Sequence, residues 1–493
     1  MRFRVFGVAA CAVASGVIAA CGGGGGGYGG SSSMGTGGNG YGGNNNPPPT
    51  VAFSTPAQGQ SINLGQAVKL AWSSNYATSC TASASSPTGG TFTGSQSPSG
   101  QMSVVPIATG SVTYTLSCTG AGGTMTATSP TVTVNPSILS QLASVKAVTI
   151  GTTVLTAPPA PTAAAGQANP YGLAIAPVTA GLITAGDLVV CNFDATTNPA
   201  NPQGTGTTIV GLHPTAGATP YLIANDANLK GCNALAVLAD DSIAAAAWST
   251  NLNPLVSPSG VVGTPFGGDT FVEPWGEAYV AANGANPAAL YVSNTDGSID
   301  RIELNGDAQT AFAKIATGFC TTGTPGSIYA PAGLTYDPSI DTLYIVDTSS
   351  NSVVAFANVS SIAAGGVVVN GACGSPVNPP TPVPTFSGTS ASSARVVAHG
   401  APLFTPITAA LLADGDLIVT NGDINIGTGQ TPNLAIEISP VLPGGFVGQP
   451  LQLDTSGTPG ALFGLAATVD SGGHQIIYFN DDNTNMVMML ATP

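Results

Sequence analysis

Short apolar segments alternate with polar turns in residues 51–136 of this chain. Examples are SINLGQAVKLAW, SVTYTLSCTG and PTVTVNP, which are separated by Gly, Ser and Pro. Such alternation places apolar side chains on one face of a strand, and the period of an amphipathic helix is missing. The segment therefore predicts a small β-sandwich. We expect its disulfide, between Cys80 and Cys118, to join two sheets over a buried Trp72.

Residues 137–493 repeat one unit, which consists of an apolar strand, a polar gap, a second strand ending in Asn or Asp, a hairpin and a third strand. Clear copies start at PYGLAIAP, PWGEAYV, PAGLTYDP, ITAALLAD and LFGLAATV, and CNALAVLADDSIAAAAWS is a weaker sixth. The second strands end at Asn192, Trp248, Asn294, Asp347, Asn421 and Asn480. Their spacings of 46 to 74 residues suit the blades of a six-bladed β-propeller with loop insertions. The predicted class is all-β, and we expect ASVKAVTI, residues 143–150, to supply a closing strand.

Two stretches carry resemblances to known modules. LGQAVKLAWSSNYATSCTAS followed by SVTYTLSCTGAGGTMTATSPTVTV resembles a bacterial immunoglobulin-like domain, which implies a spacer or adhesive unit. GLTYDPSIDTLYIVDTSSNSVVAFANV is similar to an NHL repeat, and the whole region resembles six-bladed NHL and lactonase-like propellers. The lactonase resemblance implies a metal held by Glu, Asn and Asp in the channel. Glu273 and Glu277 flank Trp275 and are candidates to project toward that channel, but no full ligand set matches.

The amino terminus has the layout of a secretory signal. Arg2 and Arg4 precede an apolar run over residues 5–20, which is shorter than the roughly 20 residues of a membrane-spanning helix. Ile18 to Cys21 resemble the lipobox of bacterial lipoproteins, which implies cleavage after residue 20 and a lipid on Cys21. A Gly-, Asn- and Pro-rich tether follows over residues 21–50. Gly22 in place of Asp favours the outer membrane of a Gram-negative bacterium, on its periplasmic or surface face.

Six further cysteines remain after the signal and Cys21 are set aside. An even number of cysteines in an exported chain predicts disulfides. Several connectivities are open, and grouping by domain favours three pairs. These are Cys80 with Cys118, Cys191 with Cys232, and Cys320 with Cys373.

Charge narrows the possible partners. From Asp187 onward the chain has 23 acidic and 4 basic residues, a net charge of −19. Nucleic acid is excluded, because its binding needs Lys and Arg on the phosphates. The clustered oxygens of DINIG, residues 423–427, and NDDNTN, residues 480–485, allow calcium only as a weak hypothesis. The repeated Asn and Asp at the hairpins are better explained as turn residues.

No catalytic residue is assigned. G-x-S-x-G and H-E-x-x-H are absent from the sequence, and His213, His399 and His474 are far apart. We therefore expect a lipid-anchored envelope protein whose propeller is a binding scaffold, without a cofactor. Its partner is an unknown protein or an envelope polymer, and its oligomeric state is not predicted. The alternative is a metal-dependent hydrolase of the lactonase-like kind.

Overall fold

The computed structural model describes residues 46–493, which form one compact unit. The description omits residues 86–88, 157–160, 162, 196–202, 268–270, 285, 325–326, 371–380 and 423–430. The predicted signal, Cys21 and most of the tether therefore lie outside the described residues. Within them, the longest apolar helix is too short to cross a membrane.

The first ten strands form a β-sandwich of three small sheets. The strands are β1 (Thr50–Thr55), β2 (Ser61–Asn63), β3 (Val68–Asn75), β4 (Ser79–Ala84), β5 (Gly94–Gln96), β6 (Gly100–Val104), β7 (Gly110–Val112), β8 (Tyr114–Gly120), β9 (Gly123–Thr128) and β10 (Val132–Asn135). Their orders are β1-β3-β6, β2-β10-β7 and β5-β4-β8-β9. Val68, Leu70 and Trp72 on alternate positions of β3 are buried in one shared core. Alternation in the sequence therefore produces the sandwich.

The disulfide of the sandwich differs from the prediction. Cys80 and Cys118 are bonded, but they are cross-strand partners on the adjacent strands β4 and β8 of one sheet. The bond therefore joins neighbours within a sheet. Trp72 lies on the other side of the core, where it packs edge-on against Phe92 with ring centroids 5.6 Å apart. Apolar packing, and not the disulfide, holds the two faces together.

A short helix, α1 (Ile138–Leu142), connects the sandwich to the propeller. Ser137 caps it by accepting a hydrogen bond from the first turn. The buried carboxylate of Glu437 accepts two more, from the N–H of Ile138 at 3.1 Å and of Leu139 at 2.6 Å. The first turn of the helix is thus held by an acidic side chain of the propeller, as its unpaired N–H groups favour.

Two polar contacts join the sandwich to the same part of the propeller. The Ser439 hydroxyl donates to the carbonyl of Gly65 at 2.7 Å, and the Asn63 amide donates to Asp414 at 2.9 Å. The sandwich is therefore bonded to the ring both directly and through α1.

The remaining strands form the propeller. In chain order they are β11 (Val148–Thr152), β12 (Ala168–Ile175), β13 (Leu188–Asp194), β14 (Thr208–Leu212), β15 (Tyr221–Asn225), β16 (Cys232–Val237), β17 (Ile243–Ala247), β18 (Asn253–Val256), β19 (Val262–Phe266), β20 (Pro274–Val280), β21 (Ala288–Asn294), β22 (Ile299–Asn305), β23 (Ala308–Thr317), β24 (Thr322–Thr324), β25 (Ser327–Tyr329), β26 (Pro331–Asp337), β27 (Thr342–Asp347), β28 (Ser352–Ala357), β29 (Val367–Asn370), β30 (Thr385–Ser387), β31 (Ala394–His399), β32 (Pro406–Leu411), β33 (Leu417–Asn421), β34 (Leu434–Ile438), β35 (Phe446–Gln452), β36 (Leu465–Val469), β37 (Gln475–Asp481) and β38 (Met486–Ala491).

These strands make six blades around a channel, as the repeats predict. The blades, each written from its innermost strand outward, are β12-β13-β14-β15, β16-β17-β18-β19, β20-β21-β22-β23, β26-β27-β28-β31, β32-β33-β34-β35 and β36-β37-β38-β11. Each innermost strand contacts the next, and β36 contacts β12, so the ring is closed. The outer strand of blade 6 is β11, where Val148 pairs with Met489. The expected closing strand is therefore present, and it leaves no exposed end to the ring.

The longest spacing between repeats, from Asp347 to Asn421, has a structural cause. An insertion between β28 and β31 contains β29 and β30, which extend the sheet of blade 3 instead of blade 4. Its strand β29 runs parallel to β23, with Ala316 opposite Val367. The insertion thus covers the outer edge of a neighbouring blade.

A glycine near the start of an inner strand lets adjacent blades approach closely. A Cβ at Gly172 would touch the backbone of Ala234 in the next blade, and one at Gly276 would overlap the carbonyl of Ala332. Gly333 and Gly464 have the same relation to the blades that follow them. The repeated glycine is therefore a requirement of ring packing.

Several blade junctions are also bonded by a side chain that lies at the end of the second strand of one blade or directly after it. The bonds are Ser293 Oγ to Ala332 O at 2.6 Å, Thr348 Oγ1 to Pro406 O at 2.6 Å, and Thr420 Oγ1 to Leu462 O at 3.0 Å. At the junction of blades 1 and 2 the second strand is instead joined to the next inner strand by the disulfide Cys191–Cys232. Cys191, Ser293 and Thr420 all stand directly before an Asn at or near the end of their strand.

Candidate functional site

The Asn and Asp residues at the ends of the second strands are used within the fold. Asn294 and Asn421 each accept a backbone N–H from the segment before their own inner strand, at 3.1 and 2.9 Å. Asn480 donates to the carbonyl of Tyr171 in the next blade at 2.9 Å. Asp347 accepts from Ser349 within its own turn, at 3.1 Å from the backbone nitrogen. Most of these side chains thus hold segments beyond their hairpin, a role that turn chemistry alone does not describe.

Six residues at equivalent positions of the inner strands line both cavities of the channel, and we call this ring of residues the waist. They are Leu173, Leu235, Glu277, Leu334, Ala409 and Leu465. The waist separates a small cavity of about 70 Å³ from a larger one of about 420 Å³, and all six residues line both. Five of the six are aliphatic, so the waist contains a single carboxyl group.

Glu277 is as buried as its aliphatic counterparts, with 7% of its surface exposed. One carboxylate oxygen, Oε1, accepts a hydrogen bond from the Asn253 amide at 2.8 Å. The other, Oε2, has no hydrogen-bond partner among the described residues. Burial raises the pKa of Glu277 to about 8, although the Asn253 side chain and the Ala246 backbone lower it. Burial therefore favours the protonated form of this carboxyl group at neutral pH.

A group of aromatic rings lies at the end of the channel where the inner strands begin. Tyr171 is stacked between Phe193, at a centroid distance of 4.3 Å, and Phe463, at 4.1 Å. Trp248 tilts against Phe193 at 6.1 Å, and Trp275 lines the small cavity together with Phe463. Trp248, Trp275 and Phe463 are partly exposed. We call these five residues the aromatic mouth.

Two carboxylates lie beside the aromatic mouth. Asp194 accepts hydrogen bonds from the Asn169 amide at 3.0 Å and from the N–H of Gly204 at 2.9 Å. Burial raises its pKa despite these bonds. Burial, and then the charge of Asp194, raise the pKa of Asp482 to about 8. The same two carboxylates, after burial, raise the pKa of Tyr171, which shows that all three lie close together.

The sequence contained a signal for the aromatic mouth that the repeat analysis did not use. Tyr171, Trp275 and Phe463 each stand directly before the inner-strand glycine of their blade, in PYGL, PWGE and LFGL. Aligning the blades on that glycine brings the three rings to one end of the channel. The acidic neighbours come from other strands and could not be found in this way.

Other residues singled out by the sequence do not converge. Glu273 accepts a hydrogen bond from the Thr295 hydroxyl at 2.9 Å and, unlike Glu277, lines neither of the two cavities. His213 is 2.6 Å from Asp187, and His474 is 2.9 Å from Asp470. The third histidine, His399, is 3.2 Å from the Thr381 hydroxyl.

The described residues contain no group of three or more His, Cys, Asp and Glu side chains that could hold a metal ion. Residues 423–427, one of the two segments considered for calcium, lie outside the described part. In the other segment, Asn480 bonds Tyr171 and Asn483 bonds Asp454 at 2.8 Å. Cys320 is disulfide-bonded, whereas Cys373 lies outside the described residues.

No protein-family model matches the sequence, and no curated protein is similar to it. Among solved structures, a catalytically inactive virginiamycin B lyase from Staphylococcus aureus with quinupristin is 13% identical, with 70% of this chain and 98% of that chain covered and a TM-score of 0.38. A PQQ-bound aldose sugar dehydrogenase from Streptomyces coelicolor is 15% identical, with the same coverages and a TM-score of 0.41. A nidogen/laminin complex is 14% identical over 59% of this chain and 88% of that chain, at 0.37. Similarity at this level carries no inference about activity.

Proposed function

We propose that this chain is a lipid-anchored protein of the cell envelope whose propeller binds a glycan polymer of that envelope at the aromatic mouth. The signal layout and the lipobox around Cys21 support the anchor. The disulfides Cys80–Cys118 and Cys191–Cys232 support export to an oxidising compartment. The glycine after Cys21 supports the outer membrane as the place of attachment.

The observation that carries the binding role is the set of partly exposed rings beside two carboxylates at the channel entrance. Flat aromatic faces cover the apolar faces of sugar rings, and carboxylates accept hydrogen bonds from hydroxyl groups. Trp248 and Phe463 are the partly exposed ends of a row whose inner rings, Tyr171 and Phe193, are buried, so the row offers a glycan two separate aromatic platforms. The strands beneath keep the row rigid, so binding orders few side chains.

A metal-dependent hydrolase is the less favoured alternative, because the donors at the waist do not fit a metal. Five of its six positions carry Leu or Ala, and Glu277 is the one oxygen ligand they offer. A divalent ion bound by protein oxygens requires several such ligands. We therefore assign no catalytic residue.

Binding to purified peptidoglycan sacculi and to lipopolysaccharide, measured by co-sedimentation of the full chain, tests the proposal. Trp248→Ala and Phe463→Ala are expected to weaken binding at least tenfold. The control is Tyr76→Ala, which removes a sandwich ring that is 65% exposed. Failure of the wild-type protein to bind either polymer, or equal loss in the control, would refute a glycan site at the mouth.

Cys21→Ser tests the anchor independently. We expect this variant to leave the membrane fraction and to appear in the soluble fraction, because the thiol that carries the lipid is gone. Retention in the membrane would show that another element holds the protein there.

A further inference from the structure

We propose that the waist is a binding site for a small organic cation, a primary alkylammonium ion, which pairs with the carboxylate of Glu277. This site adjoins the aromatic mouth, with which it shares Trp275 and Phe463 at the small cavity, but its test does not depend on glycan binding there. The juxtaposition that carries it is one half-satisfied carboxylate in a ring of aliphatic side chains between two cavities.

The other five blades show which residue the inner strand normally carries at the position of Glu277. Four of the other blades place Leu at this position and one places Ala, with exposures of 6% to 8% that match the 7% of Glu277. A buried carboxyl oxygen without a partner is unfavourable compared with a packed Leu. Oε2 gains no hydrogen bond within the described residues, although the Ala246 backbone lies near enough to the carboxyl group to lower its pKa. A carboxyl group at a position that is aliphatic in every other blade, without a full set of hydrogen bonds, is typical of a functional residue.

The surroundings select a cation over an anion. None of the residues that line the two cavities is Lys, Arg or His, and the chain from Asp187 onward carries a net charge of −19. Such a field concentrates cations near the channel. Trp275 lines the small cavity beside Glu277, and the face of an indole ring attracts an ammonium group.

The two cavities match the two ends of an alkylammonium ion. The small cavity, at about 70 Å³, has room for a head group beside the carboxylate. The larger cavity, at about 420 Å³, is lined by aliphatic side chains such as Ile175, Val237 and Leu411 and by polar ones such as Thr335 and Tyr336, and it has room for an alkyl chain. A bare metal ion would find too few oxygen ligands. The ammonium group needs one charged partner, and the waist supplies it.

Protonation links the site to pH. The other titratable residues that line these cavities are Tyr279 and Tyr336, and burial raises the pKa of both, so they stay neutral. Because the pKa of Glu277 is about 8, the group must release a proton when a cation binds at lower pH. Affinity should therefore rise about tenfold per pH unit below that value and level off above it.

Calorimetric titration of the full-length protein in detergent with hexylammonium chloride tests the site. The matched neutral probe is 1-hexanol, which has the same chain without the charge. We expect saturable binding of hexylammonium, at least tenfold tighter than that of hexanol, with the stated rise with pH. Absence of saturable binding, equal affinity for hexanol, or a flat pH profile would overturn the proposal.

Variants place the binding at the waist. Glu277→Gln is expected to weaken hexylammonium binding at least tenfold and to remove its pH dependence. Glu303→Gln removes the same charge from a residue that is ion-paired with Arg301 at 3.0 Å and lines neither cavity, so its affinity should match the wild type. Glu277→Leu introduces the residue that four other blades carry at this position, and it controls for loss of binding by misfolding. This variant should have a higher melting temperature than the wild type and still fail to bind hexylammonium. Undiminished binding by Glu277→Gln would refute the site.

Discussion

The sandwich and the propeller are both built from short antiparallel strands, yet they bury very different side chains. The sandwich has one apolar core around Trp72 and contains no acidic residue. The propeller carries every acidic residue of the chain and buries several, among them Glu277, Asp416 and Glu437. Its apolar cores lie between successive blades instead of in one centre. We therefore expect substitutions in its core to lower the stability of the sandwich most. The stability of the propeller should depend on the contacts between its blades and on pH.

Disulfides also serve different purposes in the two regions. Cys80–Cys118 links neighbouring strands of one sheet, where the backbone is already paired. Cys191–Cys232 links two blades at a place where other junctions use a hydroxyl such as that of Ser293. In the propeller a covalent bond thus takes the position of a hydrogen bond, and the two can be compared within one molecule.

The largest expected effect is that of Trp72→Ala in the sandwich. The ring is 5% exposed, packs against Phe92, and donates from Nε1 to the carbonyl of Ser97 at 3.0 Å. Removing it should destabilise the sandwich by about 3 to 5 kcal/mol. Calorimetry should show the sandwich transition at lower temperature and the propeller transition unchanged. A matching drop in both would mean that the two regions unfold as one unit.

Next in size is the loss of the interblade disulfide. Replacing Cys191 and Cys232 together by Ala should lower the free energy of unfolding of the propeller by about 2 to 4 kcal/mol. Cys191→Ser with Cys232→Ala should recover about 1 kcal/mol, because Ser at this position donates to the next blade in blade 3. Chemical denaturation measures both. If the two double variants are equally stable, a Ser hydrogen bond cannot take the place of the disulfide at this blade junction.

The dependence of stability on pH should separate the two regions further. Burial raises the pKa of Glu277 and of Asp416 to about 8 and that of Glu437 to about 7. The folded propeller thus keeps protons that the unfolded chain releases above about pH 4, so its stability is greatest in mild acid and falls as pH rises to about 8. Thermal unfolding between about pH 5 and pH 9 should show this fall, and Glu277→Gln should reduce it. The sandwich transition should not move, and a shift as large as that of the propeller would argue against this assignment.

The smallest effect expected is that of Thr420→Val. This exchange keeps the shape of a fully buried side chain but removes the bond from Oγ1 to the carbonyl of Leu462. The propeller should lose about 1 kcal/mol, since one buried carbonyl loses its partner. Denaturation with urea detects a difference of this size. No change in stability would mean that the junction of blades 5 and 6 is held by packing alone.

The sequence predicts well what repeats along the chain. Six blades, the closing strand and the pairing of Cys80 with Cys118 follow from alternation and spacing. The glycine of PYGL, PWGE and LFGL also marks the end of the channel where aromatic rings gather. Glu277 can be recognised as the odd member of its position once the blades are aligned.

What the sequence could not provide are contacts between distant segments. Glu437 holds α1 across about 300 residues of chain, and Asp194 and Asp482 meet only because the ring closes. The sequence predicted that the sandwich disulfide joins two sheets, whereas it joins two strands of one sheet. Local alternation of apolar residues identifies strands but does not determine their order within a sheet. Glu273 lies close to Glu277 in the sequence, but only Glu277 lines the cavities. Closeness in sequence does not determine the direction of a side chain next to the start of a strand.

The attachment of α1 to Glu437 has a mechanical consequence. The strand that closes the ring, β11, follows the sandwich and α1 directly in the chain. A pull applied from the amino-terminal side would reach β11 only after the helix had been detached from blade 5. The two N–H bonds to Glu437, together with the hydrogen bond from Ser439 to Gly65, therefore transmit the force to blade 5. The four strands of that blade are consecutive in the chain, so the force does not act first on the pairing of β11 with β38, where the ring is closed.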